Sequence, residues 1–273
     1  PGDVAVDLMG RGDGAVTWRV AWLHVAPIKS LAIQERQRIV LGPHGVEEDR
    51  RFCIVDEEGR MLNAKRVHAF VRVRPEFDEA MRHLTLHTPT SSVSGPVELG
   101  DAVAVSIYRR SVPAREVRGP FSAALSELGA RAVRLVRFDE PGEGVDRAGD
   151  GGHVSLLSWA ALDALAQAAS TDGPVDPRRF RMNIGIAGIA AHEEDEWLGR
   201  PVRIGEAVVV PGGNGGRCAV TTLDPVSGVS DLDTLAALAR YRSAQATTEQ
   251  LAFGVWARVE RPGTISLGDK ISV

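Results

Sequence analysis

Cysteine is nearly missing from this chain: Cys53 and Cys218 are the only two among 273 residues. Two thiols cannot build a disulfide framework, and Cys53 lies in the apolar run Phe52-Cys53-Ile54-Val55, so both are expected as reduced thiols in a reducing compartment. Nor can two thiols hold an iron–sulfur cluster with its usual four ligands. No apolar stretch approaches the ~20 residues that a membrane-spanning helix requires. The opening Pro1-Gly-Asp-Val-Ala-Val-Asp7 lacks the basic-then-apolar order of a secretory leader, and the expected location is the cytoplasm. Positive charge is not in excess either. A net charge of -4 gives the chain as a whole no attraction for nucleic acid. The glycines of 212–216 lack the Lys-Ser/Thr of a phosphate loop, and there is no strand–turn–helix dinucleotide fingerprint or Gly-x-Ser-x-Gly elbow. His83 and His87 are four apart but flank a strand-like run without a Glu, which makes them exposed strand residues rather than zinc ligands.

What is present is an ordinary globular composition, 44% hydrophobic and 25% charged, enough for one large or two smaller domains. Short runs of β-branched residues separated by turn signals dominate. They predict strands over 18–25, 38–41, 50–56, 60–64, 71–73, 84–87, 103–108, 133–138, 184–187, 202–204, 208–210, 255–259 and 271–273. Residues 57–59 form a glycine turn within a hairpin. Helices are few: 159–169 with Ser158 as cap, one around 232–239 capped near Ser230 or Asp231, and a short one ending at Gly129. Residues 138–152 are polar and glycine-rich, which predicts a long mobile loop, either linker or lid. The expected fold class is therefore mainly β with a few helices (α+β): a flexible arm over 1–17, an all-strand part over 18–110, and a second part over 111–273.

Several segments carry unusual chemistry. In Pro211-Gly-Gly-Asn-Gly-Gly-Arg217-Cys218, glycines let backbone N–H groups converge on an anion and Arg217 adds a permanent cation, conditions that favour a reactive thiolate. The ordinary alternative is that Cys218 is a small apolar residue at the start of a strand over 219–222. Lys29 and Ser30 stand where a strand exits, able to meet a phosphate or simply to be solvated. Asp49 can hold one of Arg50 and Arg51 and leave the other for a ligand. Arg178, Arg179 and Arg181 crowd around Phe180 before Asn183 and need anionic partners, either a phosphorylated ligand or the acids at 193–196.

The order of these segments resembles the MOSC family, the domain found at the C-terminus of molybdenum cofactor sulfurases, here preceded by its N-terminal β-barrel partner. The resemblance rests on Val25-Ala-Pro-Ile-Lys-Ser30, Asp49-Arg50, the hairpin at Val55 to Gly59, Arg179-Phe-Arg-Met-Asn183, Glu194-Asp-Glu-Trp197, Arg217-Cys218-Ala-Val-Thr-Thr-Leu-Asp-Pro225, Phe253-Gly-Val255 and Gly263-Thr-Ile-Ser-Leu-Gly268. It spans roughly 18 to 273. The resemblance implies a β-rich fold with a molybdenum cofactor (molybdopterin) in the cleft between two parts. Its characterised members include amidoxime-reducing components and bacterial reductases of N-hydroxylated compounds. The cysteine matching Cys218 would ligate molybdenum and be catalytic. Lys29, Ser30, Arg50, Arg181 and Asn183 would contact phosphate and pterin, beside Arg217. The implied activity is reduction of small N-oxygenated molecules with electrons from separate redox proteins. Two alternatives are a sulfur carrier, with a Cys218 persulfide charged by a separate pyridoxal-phosphate desulfurase, and a non-catalytic cofactor-delivery module. The chain departs from the family pattern at Leu31 to Ile33, at Asn63 to Arg66, and at Met182, where the family usually has proline.

Overall fold

Alternating β-branched and polar residues give strands one buried face each, and in this chain two sets of strands bury those faces separately. A computed structural model describes residues 17–273. The arm expected over 1–17 lies outside the described residues, apart from Thr17. The larger sheet has eight strands in the order Ile271–Ser272, Val202–Ile204, Ala207–Gly216, Ala252–Arg261, Val154–Ser158, Ile184–Ala187, Arg19–Val25 and Gln34–Glu35. Val20, Leu23, Ile184, Ile186, Leu156, Val209 and Val255 share one core beneath it. Arg19–Val25 pairs antiparallel with Ile184–Ala187, so the first described strand completes a sheet made chiefly by the second half of the chain. Trp22 makes that pairing tight: a Cβ at Gly185 would lie 1.9 Å from its ring.

The smaller sheet runs Phe52–Val55, Arg134–Phe138, Arg110–Arg118 and Glu98–Ile107. The hairpin of its last two strands crosses the division expected at 110. A three-stranded meander, Arg74–Asp78, His83–His87 and Ser92–Pro96, encloses a second core with the helix Phe121–Gly129, where Phe52, Phe70, Phe121 and Leu135 are fully buried. The fold class is mainly β, as expected.

Five local expectations need correction. Residues 71–73 are not a strand: His68–Arg72 forms a 3-10 turn that turns Phe70 and Val71 inward. Residues 219–222 are likewise a 3-10 turn, Ala219–Thr222, so Cys218 precedes a turn. The glycines of 211–216 belong to the strand Ala207–Gly216, not to a free turn. Their freedom is used for packing: a Cβ at Gly212 would lie 2.3 Å from the Trp256 ring and one at Gly215 1.9 Å from Arg217 Nη2. The helix Thr234–Arg242 is capped by Asp233, which accepts from Ala236 N, rather than by Ser230 or Asp231. The 138–152 segment is pinned, since Arg110 donates to the carbonyls of Glu143 (3.2 Å) and Val145 (2.8 Å). Ser158 does cap Trp159–Ala169, accepting from Ala161 N at 3.3 Å. Among the described residues no helix is long and apolar enough to cross a membrane.

The acids at 193–196 do not pair with the arginines of 178–181. Asp195 instead holds Arg242 at 2.6 Å and accepts from Asn214 Nδ2 at 2.7 Å. Glu194 is fully buried; its Oε1 accepts from Ser158 N at 3.1 Å and its Oε2 has no partner. Burial pushes this carboxyl up from 4.5 to about 7, with Asp195 adding and the Ser158 N–H opposing. The folded state thus binds a proton that the unfolded chain has already released. This contribution is fully present below about pH 4.5 and is lost as pH rises through about 7. At ~1.4 kcal/mol per pKa unit, roughly 2–3 kcal/mol is lost across that window. Denaturant titrations at pH 5 and pH 8 should show this loss in the wild type, and Glu194→Gln should flatten it. An equally steep profile in the variant would remove Glu194 from the account.

Candidate functional site

Four separate chain segments converge on one cleft of about 850 Å³. Lys29 and Ser30 follow the first strand of the large sheet, and Arg50 precedes the first strand of the small one. Arg181 and Asn183 lead into Ile184–Ala187, and Arg217 and Cys218 leave Ala207–Gly216. All seven residues singled out from the sequence line the cleft. Three of them, Ser30 (φ 78°), Arg50 (φ 49°) and Arg181 (φ 57°), sit in the left-handed region although none is glycine. Such backbone costs on the order of 1–3 kcal/mol per residue and persists only where neighbours enforce it. Here Arg50 N donates to Ala26 O at 2.8 Å and Arg50 Nη2 to Arg181 O at 2.9 Å.

The enforcing group is Asp49, buried to 1% exposure. Its carboxylate accepts from Ala26 N (2.7 Å), from Arg50 Nη1, and from Asn183 Nδ2 (3.1 Å). Asn183 also donates to His24 O at 3.2 Å, and it exchanges hydrogen bonds with Ser155 through Oδ1 (2.9 Å) and its backbone N (3.0 Å). The buried amide therefore orders the site from behind. Arg50 both pairs with Asp49 and faces the cleft, while Arg51 turns away toward Glu79 at 3.6 Å.

The cations in and beside the cleft differ sharply in how they are satisfied. Arg178 and Arg179 are held internally, by Asp176 (2.6 Å) and Asp231 (2.7 Å). Arg181 and Arg217 have no carboxylate within ion-pair distance among the described residues. Arg181 Nη2 is buried without a partner, and burial, reinforced by Arg50, brings its guanidinium down to about 10. Arg217 donates to Gly215 O (2.9 Å), Phe180 O (3.1 Å) and Met182 Sδ (3.2 Å), so the family-departing Met182 supplies a soft acceptor. Burial lowers Arg217 to about 10 also, against the pull of Cys218 and Asp146. Lys29 donates to Gly144 O at 2.7 Å and to Asp146; burial depresses its pKa and Asp146 opposes. Cys218 is exposed, and its carbonyl is fixed by Thr221 N and Oγ1, both at 3.0 Å. Cys53, by contrast, is buried and pushed up to about 12 by burial.

The sequence did not single out Asp146, Tyr108 or Trp256, all of which line the cleft. Asp146 stands in a glycine-rich run that otherwise signals only a loop. Tyr108, in left-handed backbone at the tip of a hairpin, is one of only two tyrosines; that rarity was the one signal available.

This fold and cleft are those of a MOSC-domain protein. The MOSC domain matches residues 144–272, and the MOSC N-terminal beta barrel domain matches residues 17–123; the chain belongs to this family. It is 26% identical to mitochondrial amidoxime-reducing component 1 of Mus musculus, over 99% of this chain and 91% of that one. Identity to the Xenopus laevis protein of the same name is 26%, over 92% and 81%. Molybdenum cofactor sulfurase of Drosophila grimshawi is 27% identical over 86% of this chain, which spans 31% of the sulfurase.

Removing Asp49 would leave the Arg50 charge and the Ala26 N–H buried without their partner. Asp49→Ala should therefore cost about 3–5 kcal/mol in unfolding free energy, the range for breaking a buried ion pair by deleting one member. Asp176→Ala, which frees the part-exposed Arg178 side chain and removes the cap acceptor of the Arg178 N–H (2.8 Å), should cost about 0.5–2 kcal/mol. Comparable losses for both by chemical denaturation would contradict the central role of Asp49.

Proposed function

We propose that the cleft binds the molybdenum cofactor and that the protein is a reductase of small N-oxygenated compounds, supplied with electrons by separate redox proteins. The observation carrying this reading is the combination of two half-buried guanidinium groups without carboxylate partners, Arg181, whose Nη2 is buried and unpaired, and Arg217, with one exposed thiol, Cys218, at the same cleft. A phosphate dianion answers an orphaned guanidinium N–H, and a thiolate is a soft donor fitted to molybdenum. The residues thus fit the group. Cys218 would hold the metal; Lys29, Ser30, Arg50 and Arg181 would hold the phosphate; Asn183 and Arg217 would keep the cradle in register. When bound, the cofactor supplies two-electron oxygen-atom chemistry, which no side chain provides.

The remaining work belongs to the chain. Buried cations attract an anion more strongly in the dry base of the cleft than they would in water. Trp256, seated where Gly212 and Gly213 make room, and Tyr108 offer flat apolar faces near the rim. The names of relatives that cover more than nine-tenths of this chain, amidoxime-reducing components, support the substrate class. A sulfur-carrier reading is favoured by one observation, the exposure of Cys218, which leaves the thiol open to a desulfurase. Mass spectrometry of Cys218 after incubation with a cysteine desulfurase would register a persulfide.

Protein purified from a host that makes the cofactor should contain molybdenum. Cys218→Ser should purify folded and largely without it, because a hydroxyl is a poor soft-metal ligand. Cys53→Ser is the control and should keep the metal-to-protein ratio. Given a cytochrome or ferredoxin electron source, the wild type should reduce an amidoxime and Cys218→Ala should not. Equal molybdenum content in Cys218→Ser and wild type would sink the ligand assignment. Metal-replete wild type without turnover, but with a persulfide on Cys218, would move the assignment to sulfur transfer.

A further inference from the structure

One carboxylate stands among the cleft cations in a way that no other acid does. Asp146 is ion-paired with Lys29, whose side chain is 8% exposed, while Asp146 itself is 55% exposed. Lys29 in contact, and Arg50 and Arg181 beyond it, hold its pKa below the ordinary carboxylate value. The same carboxylate also acts on Arg217. A single acid on the 138–152 segment therefore interacts with four cations drawn from four different parts of the chain. Asp49 provides the contrast: it is sealed at 1% exposure with three donors and holds the backbone together. Asp146 has one hydrogen-bonding side-chain partner, Lys29, and an open side.

We propose that Asp146 is an internal anion that occupies the charge position of the cradle, and that an incoming phosphate displaces it. The inference rests on the proposed function only for the identity of the natural anion. One carboxylate supplies one negative charge and two oxygens, and it leaves Arg181 Nη2 without a partner. A phosphate monoester supplies about two charges and three oxygens, enough to answer Lys29 and the guanidinium groups of Arg50 and Arg181. Both anions need the Lys29 ammonium and would repel at contact distance, so they do not share that position. Displacement has a mechanical consequence. The segment near Asp146 is tied to the cleft by Lys29 through Gly144 O and the Asp146 carboxylate, and further along by Arg147 to Glu249. A phosphate that takes over Lys29 removes the first of these ties, and residues 145–150 are then held only by Arg110 at Val145 O and by Arg147 at Glu249, which loosens them without releasing them.

The test uses the full chain made without cofactor, with inorganic phosphate as the probe. Asp146→Asn should bind phosphate about tenfold more tightly than wild type, a factor equal to ~1.4 kcal/mol. Asp150→Asn, which removes an equally exposed acid of the same cleft, should change affinity by less than about threefold, because its only ion-pair partner is Arg147 and not one of the cations that face the phosphate. In wild type, phosphate should increase amide hydrogen exchange across 145–150 while slowing it elsewhere around the cleft. Equal or weaker binding by Asp146→Asn overturns the proposal, as does phosphate binding by neither protein. Saturating phosphate that leaves exchange at 145–150 unchanged or slower also overturns it, and this readout stands even if the variant does not fold. Molybdenum content of the wild type is independent of all these outcomes, so the failure of this inference and of the cofactor reading can be told apart.

Discussion

The carboxylate of Asp49 joins the two halves of the chain at the point where the cleft is built. It receives the N–H of Ala26, at the end of the first strand, together with Arg50 and Asn183, which stands 134 residues further on. A buried acid of this kind is expensive to desolvate and repays its cost only when every lone pair is answered. Here the answering groups are themselves site residues. The satisfaction of Asp49 and the placement of Arg50 and Asn183 are therefore one problem, solved once. The pairing of Arg19–Val25 with Ile184–Ala187 depends on the same junction, since His24 O accepts from Asn183 Nδ2.

Charge is distributed against the average. The chain carries a net -4, yet the cleft gathers Lys29, Arg50, Arg181 and Arg217, with Asp146 the acid they share. Burial weakens the hold of three of these cations on their protons: Lys29 falls, and Arg181 and Arg217 come down to about 10, still protonated at neutral pH. The site thus pays in desolvation to keep positive charge where water screens it less than at the open surface. Arg50 pairs with Asp49 and still faces the cleft, but the other arginines of the region divide by partner. Arg178 and Arg179 have carboxylates and are scaffold; Arg181 and Arg217 have carbonyls, a thioether or nothing.

Much of this was legible beforehand, and the rest failed for identifiable reasons. Strands with clean β-branched runs were found because burial on one face writes a period into the sequence. Val71 to Val73 misled because apolar residues in a 3-10 turn bury just as well without that period. The glycines before Arg217 were read as an anion nest, whereas in the structure they clear space for Trp256 and the guanidinium, and no local rule separates the two uses. The role of Asp146 was invisible, because four cations from distant segments define its environment and sequence spacing records none of them. The seven candidate residues came from the order of motifs along the chain, and their convergence on one cleft is a tertiary fact that no single motif contains.

Ser30, Arg50 and Arg181 show what such a site costs and why the cost persists. Glycine would relax each left-handed position, since it meets no Cβ penalty there. At Arg50 and Arg181 glycine would also delete a guanidinium that the cleft uses, so the backbone strain and the charge are retained together. That strain is not recovered by the unliganded fold, which leaves Arg181 Nη2 buried and unpaired. A ligand that satisfies this donor binds the folded state alone and stabilises it by mass action. Enforced left-handed backbone together with a buried unpaired donor is the pattern expected of a cradle preorganised for an anion.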